Sequence, residues 1–222
     1  MLEAAFCAIS PEGFYSAAEF YGKQKEKILD SLDYYERYGN AYFEETVNLD
    51  MSGILELFLE YLPEKENADI LDLGCGSGRD SLWLEEAGCC VSMLDGSEMM
   101  CRLAEIHTGH EVLHMTFDEM EFDCVFDGIW ACASLLHVPE KEMDGIMEKV
   151  TDALKPGGIL YMSFHYGEDE EIRGQRFFHD YTEDTMRELL RRHPRLRMKK
   201  LWLTQDERNS GTWLNVLAKR RD

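Results

Sequence analysis

Apolar residues along this chain change rhythm several times. Between Asp69 and Phe164, short apolar runs alternate with stretches whose apolar residues recur at helical spacing. The runs are Ile70–Leu73, Cys90–Leu94, Val112–Met115, Cys124–Ala131 and Ile159–Phe164. The helical stretches among them are Asp80–Ala87, stopped by Gly88, Ser97–Ile106, and about Glu140–Ala153. Ser97 and Glu98 supply an N-terminal cap and a favourable dipole charge. Apolar runs without polar alternation suit strands buried on both faces, the signature of a parallel sheet. Strands alternating with helices then give an α/β fold with right-handed crossovers.

The pattern differs at both ends. Glu183–Arg192 reads as a helix capped by Thr182 and broken at His193–Pro194. Leu196–Thr204 and Thr212–Lys219 read as two strands joined by D-E-R-N-S-G, a hairpin-like antiparallel pair. Ser52–Tyr61 is a predicted helix with Ser52 as N-cap and Pro63 beyond its end. Phe14–Leu29 also has helical spacing, with Lys23, Lys25, Glu26 and Lys27 on the outer side. Asp33–Phe43 is rich in rings: Tyr34, Tyr35, Tyr38, Tyr42 and Phe43. Those rings suit either plain surface packing or a cover over a site. No internal repeat or low-complexity tract interrupts the chain.

Composition narrows the class. A length of 222 residues fits one domain with a full core. No apolar stretch is long enough to cross a bilayer. The start, M-L-E-A-A-F-C-A-I-S, lacks a basic region and carries Glu3, so it is not read as a signal peptide. The seven cysteines show no C-x-x-C pair and no histidine that completes a zinc pattern; reduced thiols in a cytoplasmic protein, with no metal, are expected. The formal net charge of −21 repels phosphate, so no nucleic-acid partner is expected. The charge is uneven: Met186–Lys200 is basic, and Glu111–Asp127 and Glu168–Glu171 are acidic. The basic stretch reads first as a solvated helix end and edge strand.

The chemistry gathers around D-I-L-D-L-G-C-G-S-G-R-D, Asp69–Asp80. The run Ile70–Leu73 stops abruptly in Gly74, Gly76 and Gly78, a strand–turn–helix with room for a ligand against the backbone. The next run ends in Asp95, about 20 residues beyond Asp72, where an acid can hold a ribose diol. A third feature is L-K-P-G-G, Leu154–Gly158, between a helix and an apolar run. A nicotinamide fingerprint needs G-x-G-x-x-G, and this turn reads G-x-G-x-G followed by Arg79.

With D-L-G-C-G-S-G, Asp95, F-D-G-I-W (Phe126–Trp130) and L-K-P-G-G in this order, the sequence resembles class I S-adenosylmethionine-dependent methyltransferases. The resemblance runs from about Leu49 to Ala218. G-S-G-R-D-S-L-W-L and W-A-C-A-S-L-L-H-V (Trp130–Val138) are similar to the tellurite-resistance subgroup. The resemblance implies a Rossmann-like, mostly parallel seven-stranded sheet with an antiparallel C-terminal strand and helices on both faces. It also implies residues 1–48 as a helical, aromatic lid and 49–222 as the methyltransferase domain.

Implied roles follow the strand tips. Asp72, Gly74, Cys75, Gly76 and Gly78 would take the methionine part of S-adenosylmethionine, with Arg79 reaching its carboxylate. Asp95 would hold the ribose, with Gly96 and Ser97 beside the adenosine. Phe117 and Asp118 would meet the adenine, and Ala131 and Cys132 would pass the sulfonium. His137 is the candidate general base, because a histidine titrates near neutral pH. Tyr34, Tyr42, Leu136, His165, Tyr166, Arg173, Arg176 and Tyr181 are candidate acceptor contacts. The expected activity is methyl transfer to a small molecule by a monomer or homodimer. RNA or protein methylation, or cofactor binding without transfer, are the alternatives.

Overall fold

The computed structural model describes residues 9–10, 13–14, 17–205 and 211–222, with side chains from Ser31 onward. A two-residue antiparallel ribbon, β1 (Ile9–Ser10) and β2 (Gly13–Phe14), precedes a long helix, α1 (Ala17–Thr46). The helix α1 runs through both the lysine-bearing stretch and the aromatic stretch, which the sequence pattern treats as separate. Cys7 and most of the D-E-R-N-S-G connection lie outside the described residues.

The core is a seven-stranded sheet. Its strands are β3 (Asp69–Leu73), β4 (Cys90–Asp95), β5 (Val112–His114), β6 (Phe126–Ala131), β7 (Leu154–His165), β10 (Leu196–Gln205) and β11 (Thr212–Arg220). They lie in the order β10-β11-β7-β6-β3-β4-β5. β3 pairs in parallel with β4 and β6, and β6 with β7. β11 alone runs against the rest: it is antiparallel to β7 on one side and to β10 on the other, so β10 points the same way as β7. The expected antiparallel pair is therefore one reversed strand inside the sheet, with an edge strand that restores the direction. The helices are α2 (Ser52–Tyr61), α3 (Arg79–Glu86), α4 (Glu98–Thr108), α5 (Glu140–Ala153) and α6 (Glu183–Arg192).

The strands read as apolar runs because both faces of the sheet are covered. On one face, Leu71, Leu73, Ile129, Leu160, Met162 and Val216 join α5 and α6 through Met147, Val150, Met186 and Leu189. On the other, Ile70, Trp130, Tyr161 and Leu217 meet Leu55 and Phe58 of α2 and Leu84 of α3. Gly128 in β6 makes that second contact possible. A Cβ there would come within 2.6 Å of Phe58 and 2.8 Å of Ile70, so only glycine lets α2 approach this closely.

L-K-P-G-G lies at the end of the sheet opposite the glycine turn. Its residues open β7, with a register shift against β6 between Phe126 and Gly128. Lys155 Nζ donates to Asp69 Oδ2 and Asp127 Oδ2, both at 2.8 Å, which ties the starts of β3, β6 and β7 together. The segment is a structural staple rather than a ligand contact.

Like the β1–β2 ribbon, a second hairpin is not read from the sequence. β8 (Glu170–Arg173) and β9 (Arg176–His179) form a two-residue hairpin. Its turn residues, Gly174 and Gln175, both have positive φ, as a tight primed turn requires. The hairpin stands beyond the end of β7 and meets α1: Phe177 N donates to Ser31 Oγ at 2.9 Å.

Candidate active site

Chain order reverses at β3. The chain steps outward through β4 and β5, then returns to β6 on the other side of β3. Ligands in open α/β sheets bind outside the carboxyl ends of strands at such a switch point. Two adjoining cavities open there, of about 130 and 530 Å³, and Tyr35, Tyr42, Gly74, Gly76, Cys132, Ala133 and His137 line both.

The smaller cavity is built largely by backbone. Gly74 and Cys75 donate their N–H groups to the Leu94 carbonyl at 2.8 and 3.0 Å, which locks the glycine turn to the tip of β4. Gly74 has φ of +76°, and a Cβ on it would fall 2.5 Å from Ser134 Cβ, so the turn admits no side chain. Asp95 accepts from Gly76 N at 3.0 Å on Oδ2 and from Ser97 N at 2.9 Å on Oδ1. Burial pushes its carboxyl up to about 6, against the pull of those two N–H groups. Gly96, Thr116, Phe117 and Asp118 complete this wall, the last two from a single 3₁₀ turn, Phe117–Glu119.

The larger cavity is lined by side chains from distant parts of the chain. Asp72 lines it and accepts from Ser81 Oγ at 2.6 Å. Burial, and then the neighbouring Asp80 charge, push its carboxyl above the ordinary range. Arg79 holds Asp80 through Nε at 2.6 Å and a terminal nitrogen at 2.9 Å; its other terminal nitrogen donates to the Thr46 carbonyl at 2.9 Å. Trp130 Nε1 also donates to Asp80. Arg79 thus ties α1 to α3, and its charge is largely matched by Asp80. Further along stand Leu136, His165, Arg176, Phe178 and Trp213.

His137 sits between the cavities. Its Nδ1 is 2.6 Å from the Phe177 carbonyl, which can only accept, so Nδ1 carries the proton. Nε2 is then the acceptor, and Tyr35 Oη donates to it at 2.9 Å. Burial, reinforced by Arg176, holds His137 down at about 3. The expected general base therefore has both nitrogens engaged by protein, with the Tyr35 hydroxyl between it and any acceptor.

Several expected contacts lie elsewhere. Ala131 is fully buried in the core beneath the site. Ser97 caps α4, accepting from Met100 N at 3.2 Å and donating to Glu36 at 2.7 Å, and does not line either cavity. Gly78, the αL residue before α3, closes the turn behind the site. Cys75 is buried and lines the larger cavity only. Tyr34 lies outside both linings, under the Arg176 guanidinium at 4.6 Å. Tyr166 is exposed, and Tyr181 is packed on Phe164. Arg173 is bound to Asp180 and Glu171 and covers Phe178 from outside. Of the two candidate arginines, only Arg176 lines a cavity. Tyr35 and Ser134 are the main residues not singled out from the sequence. For Tyr35, the signal was its place one turn before Tyr38 and two before Tyr42 on one helix.

The cradle fits S-adenosylmethionine. A Cβ added at Gly76 would meet nothing nearer than Tyr42 at 4.0 Å, so the backbone there is open to a ligand. Each Asp95 oxygen accepts one N–H and keeps a lone pair for a hydroxyl. Residues 70–158 match the methyltransferase domain family. The matched segment carries the glycine turn, Asp95, β6 and L-K-P-G-G.

Relatives extend the picture unevenly. An inferred methyltransferase of Bacillus subtilis strain 168, YqeM, is 34% identical over 131 residues, 55% of this chain and 52% of that protein. The methyltransferase GfsG of Streptomyces halstedii is 30% identical over 117 residues, 47% of this chain and 40% of that protein. The chain thus spans about half the length of these curated relatives. Among solved structures, the Burkholderia thailandensis 1,6-didemethyltoxoflavin-N1-methyltransferase, with that compound and S-adenosylhomocysteine bound, aligns with a TM-score of 0.72. It covers 97% of this chain and 94% of its own at 21% identity, which is a likeness of fold.

Proposed function

We propose that this chain transfers a methyl group from S-adenosylmethionine to a small-molecule acceptor. The observation that carries the reading is the pair of joined cavities: a backbone-built one at Gly74, Gly76 and Asp95, opening into a ring-lined one under α1 and the β8–β9 hairpin. S-adenosylmethionine, when bound, supplies a methyl group on a good leaving group. Asp95 would hold the ribose, Phe117 and Asp118 would flank the adenine, and Asp72 would face the amino-acid part. Tyr35, Tyr42 and Phe178 would shape the acceptor pocket and exclude water, which is most of what alignment for a displacement needs. His137 fixes the Tyr35 ring rather than removing a proton itself.

A pocket walled by these elements suits a small molecule better than a polymer. Nucleic acid is further disfavoured by the basic stretch, whose Arg187, Arg191, Arg192 and Arg195 each pair with a carboxylate. The narrower likeness to the tellurite-resistance subgroup belongs to this reading and rests on the two segments that carry it. Residues 1–48 act in it as the cover of the site. Calorimetry with S-adenosylhomocysteine tests the cofactor half. Turnover of S-adenosylmethionine with a panel of small acceptors, against none with RNA or protein, tests the other. Binding without turnover across the panel would leave a cofactor-binding protein.

A further inference from the structure

Carboxylates outnumber cationic side chains in this protein by 44 to 23. Most arginines inside or around the fold accordingly have a carboxylate: Arg79 has Asp80, Arg173 has Asp180, Arg192 has Asp144 and Arg195 has Asp152. Arg176 is different. It lines the larger cavity, and among the described residues no carboxylate pairs with it. Its one side-chain hydrogen bond among them is a long one, 3.4 Å to Tyr35 Oη, and its Nε is shut off from solvent with no partner.

Rings surround the guanidinium instead. Its carbon lies 4.6 Å from the Tyr34 ring centre, 5.1 Å from Phe178 and 5.9 Å from both Tyr35 and Tyr42. Rings offset part of the lost hydration of a cation but supply no counter-charge. In a protein with so many spare acids, a half-buried cation that lines a cavity and has no carboxylate bonded to it among the described residues is a site that lacks its anion. The hairpin keeps it there: Arg176 follows the tight turn directly, opposite Arg173.

We infer that Arg176 is the acceptor-binding cation, and that the methyl acceptor is a small planar molecule carrying a carboxylate or comparable anion. The guanidinium offers a planar fork that matches a carboxylate with two parallel hydrogen bonds. Tyr35, Tyr42, Phe178 and Trp213 offer flat apolar faces for the ring that bears it. The anion would sit against Arg176 on the acceptor side, away from Asp72 and Asp95. The inference rests on the methyltransferase reading and narrows its substrate.

The test is a binding preference. Protein saturated with S-adenosylhomocysteine is titrated with benzoate, salicylate and anthranilate, and with benzamide and salicylamide as neutral counterparts, followed by ligand-observed NMR. The wild type is expected to favour the acids over the amides by at least tenfold. R176M is expected to erase that preference and R176K to restore part of it, with S-adenosylhomocysteine affinity changed less than threefold in both. Equal binding of acids and amides by the wild type overturns the inference without any variant. A tenfold or greater loss of S-adenosylhomocysteine affinity in R176M also overturns it, since the guanidinium would then serve the cofactor's own carboxylate. Failure of the wild type to bind S-adenosylhomocysteine at all would instead strike the methyltransferase reading.

Discussion

The two halves of the site are made in different ways. Around Gly74, Gly76 and Asp95 the wall is main chain: Leu94, Gly76 and Ser97 fix it through backbone groups within one strand–turn–helix and the next strand tip. Around Tyr35, His137 and Arg176 the wall is side chain, and its hydrogen bonds join positions 102 and 141 residues apart. A wall of main chain presents the same surface whatever side chains surround it, and fails when the backbone is disturbed. A wall of side chains can change what it recognises while the sheet stays intact. The first therefore suits a common ligand and the second a particular one.

The largest effect should come from disturbing the backbone half. Gly74→Ala forces a side chain into a left-handed conformation, at a cost of about 1–2 kcal/mol. The new Cβ would also meet Ser134 Cβ at 2.5 Å, so the turn must shift. Calorimetry is expected to show loss of S-adenosylhomocysteine binding, with a thermal midpoint lower by roughly 4 °C or more. Unchanged binding would mean that the turn does not form the cradle.

Next in size is Asp95→Ala. It removes two acceptors for the ligand and is expected to weaken S-adenosylhomocysteine by about 1–3 kcal/mol, roughly 5- to 150-fold. The ligand-free protein adds a pH signature. The folded value of Asp95, about 6, lies above its unfolded one, so the native state holds the proton more tightly. That contribution is fully present below about pH 4 and is lost as pH rises through 6. The stability of Asp95→Asn relative to wild type should therefore rise between pH 4 and pH 7, as measured by denaturant unfolding. A flat difference across that range would show that Asp95 titrates normally.

The same division explains what could be read in advance. Ile70–Leu73, the glycines and Asp95 are neighbours in sequence, so the strand–turn–helix of the backbone half was legible from pattern and spacing, while the seven-stranded sheet and the cofactor roles came from the resemblance. L-K-P-G-G was legible as a feature but not in its role, because Lys155 reaches Asp69 and Asp127 only once three strands are aligned. The hairpin was hidden: Gly174–Gln175 is a weak turn signal, and Glu170–Ile172 is largely exposed, so no apolar alternation marks the strand. Arg173 and Arg176 look equivalent in sequence and sit opposite each other across the hairpin turn; they part only in their contacts, Arg173 bonding to Asp180 and Arg176 lying among the tyrosine rings of α1.

Within the side-chain half, Tyr35→Phe should have a moderate effect. It leaves His137 Nε2 as a buried acceptor with no donor, which costs about 1–3 kcal/mol of stability by denaturant unfolding. S-adenosylhomocysteine affinity should stay within about threefold, in contrast to the Asp95 variant. His137 itself should leave no mark on turnover near neutral pH, because its folded value of about 3 is far below the working range. Its neutral form favours the folded state: that stabilisation is fully present above about pH 6.5 and is lost as pH falls toward 3. A turnover limb near pH 6.5 that vanishes in His137→Ala would contradict this and restore the histidine as a base.

The smallest expected effect concerns whether the side-chain half moves. Tyr34–Phe43 lies inside α1, and several ties hold that helix down. Glu36 accepts from Ser97 Oγ at 2.7 Å, Ser31 accepts from Phe177 N, and the Thr46 carbonyl accepts from Arg79. These are polar contacts, two of them made by the exposed Glu36 and the half-buried Arg79, and each is individually worth only about a kcal/mol. Local opening of α1 should then be easier than opening of the sheet. Backbone amides of Tyr34–Phe43 are expected to exchange faster than those of β6 in the free protein. S-adenosylhomocysteine should slow them more than it slows α6, which lines neither cavity. Removing residues 1–45 should abolish transfer while the sheet still unfolds cooperatively, since its strands begin at Asp69. If Tyr34–Phe43 is already protected without ligand and unchanged with it, α1 is a fixed wall, and the two halves differ in construction but not in motion.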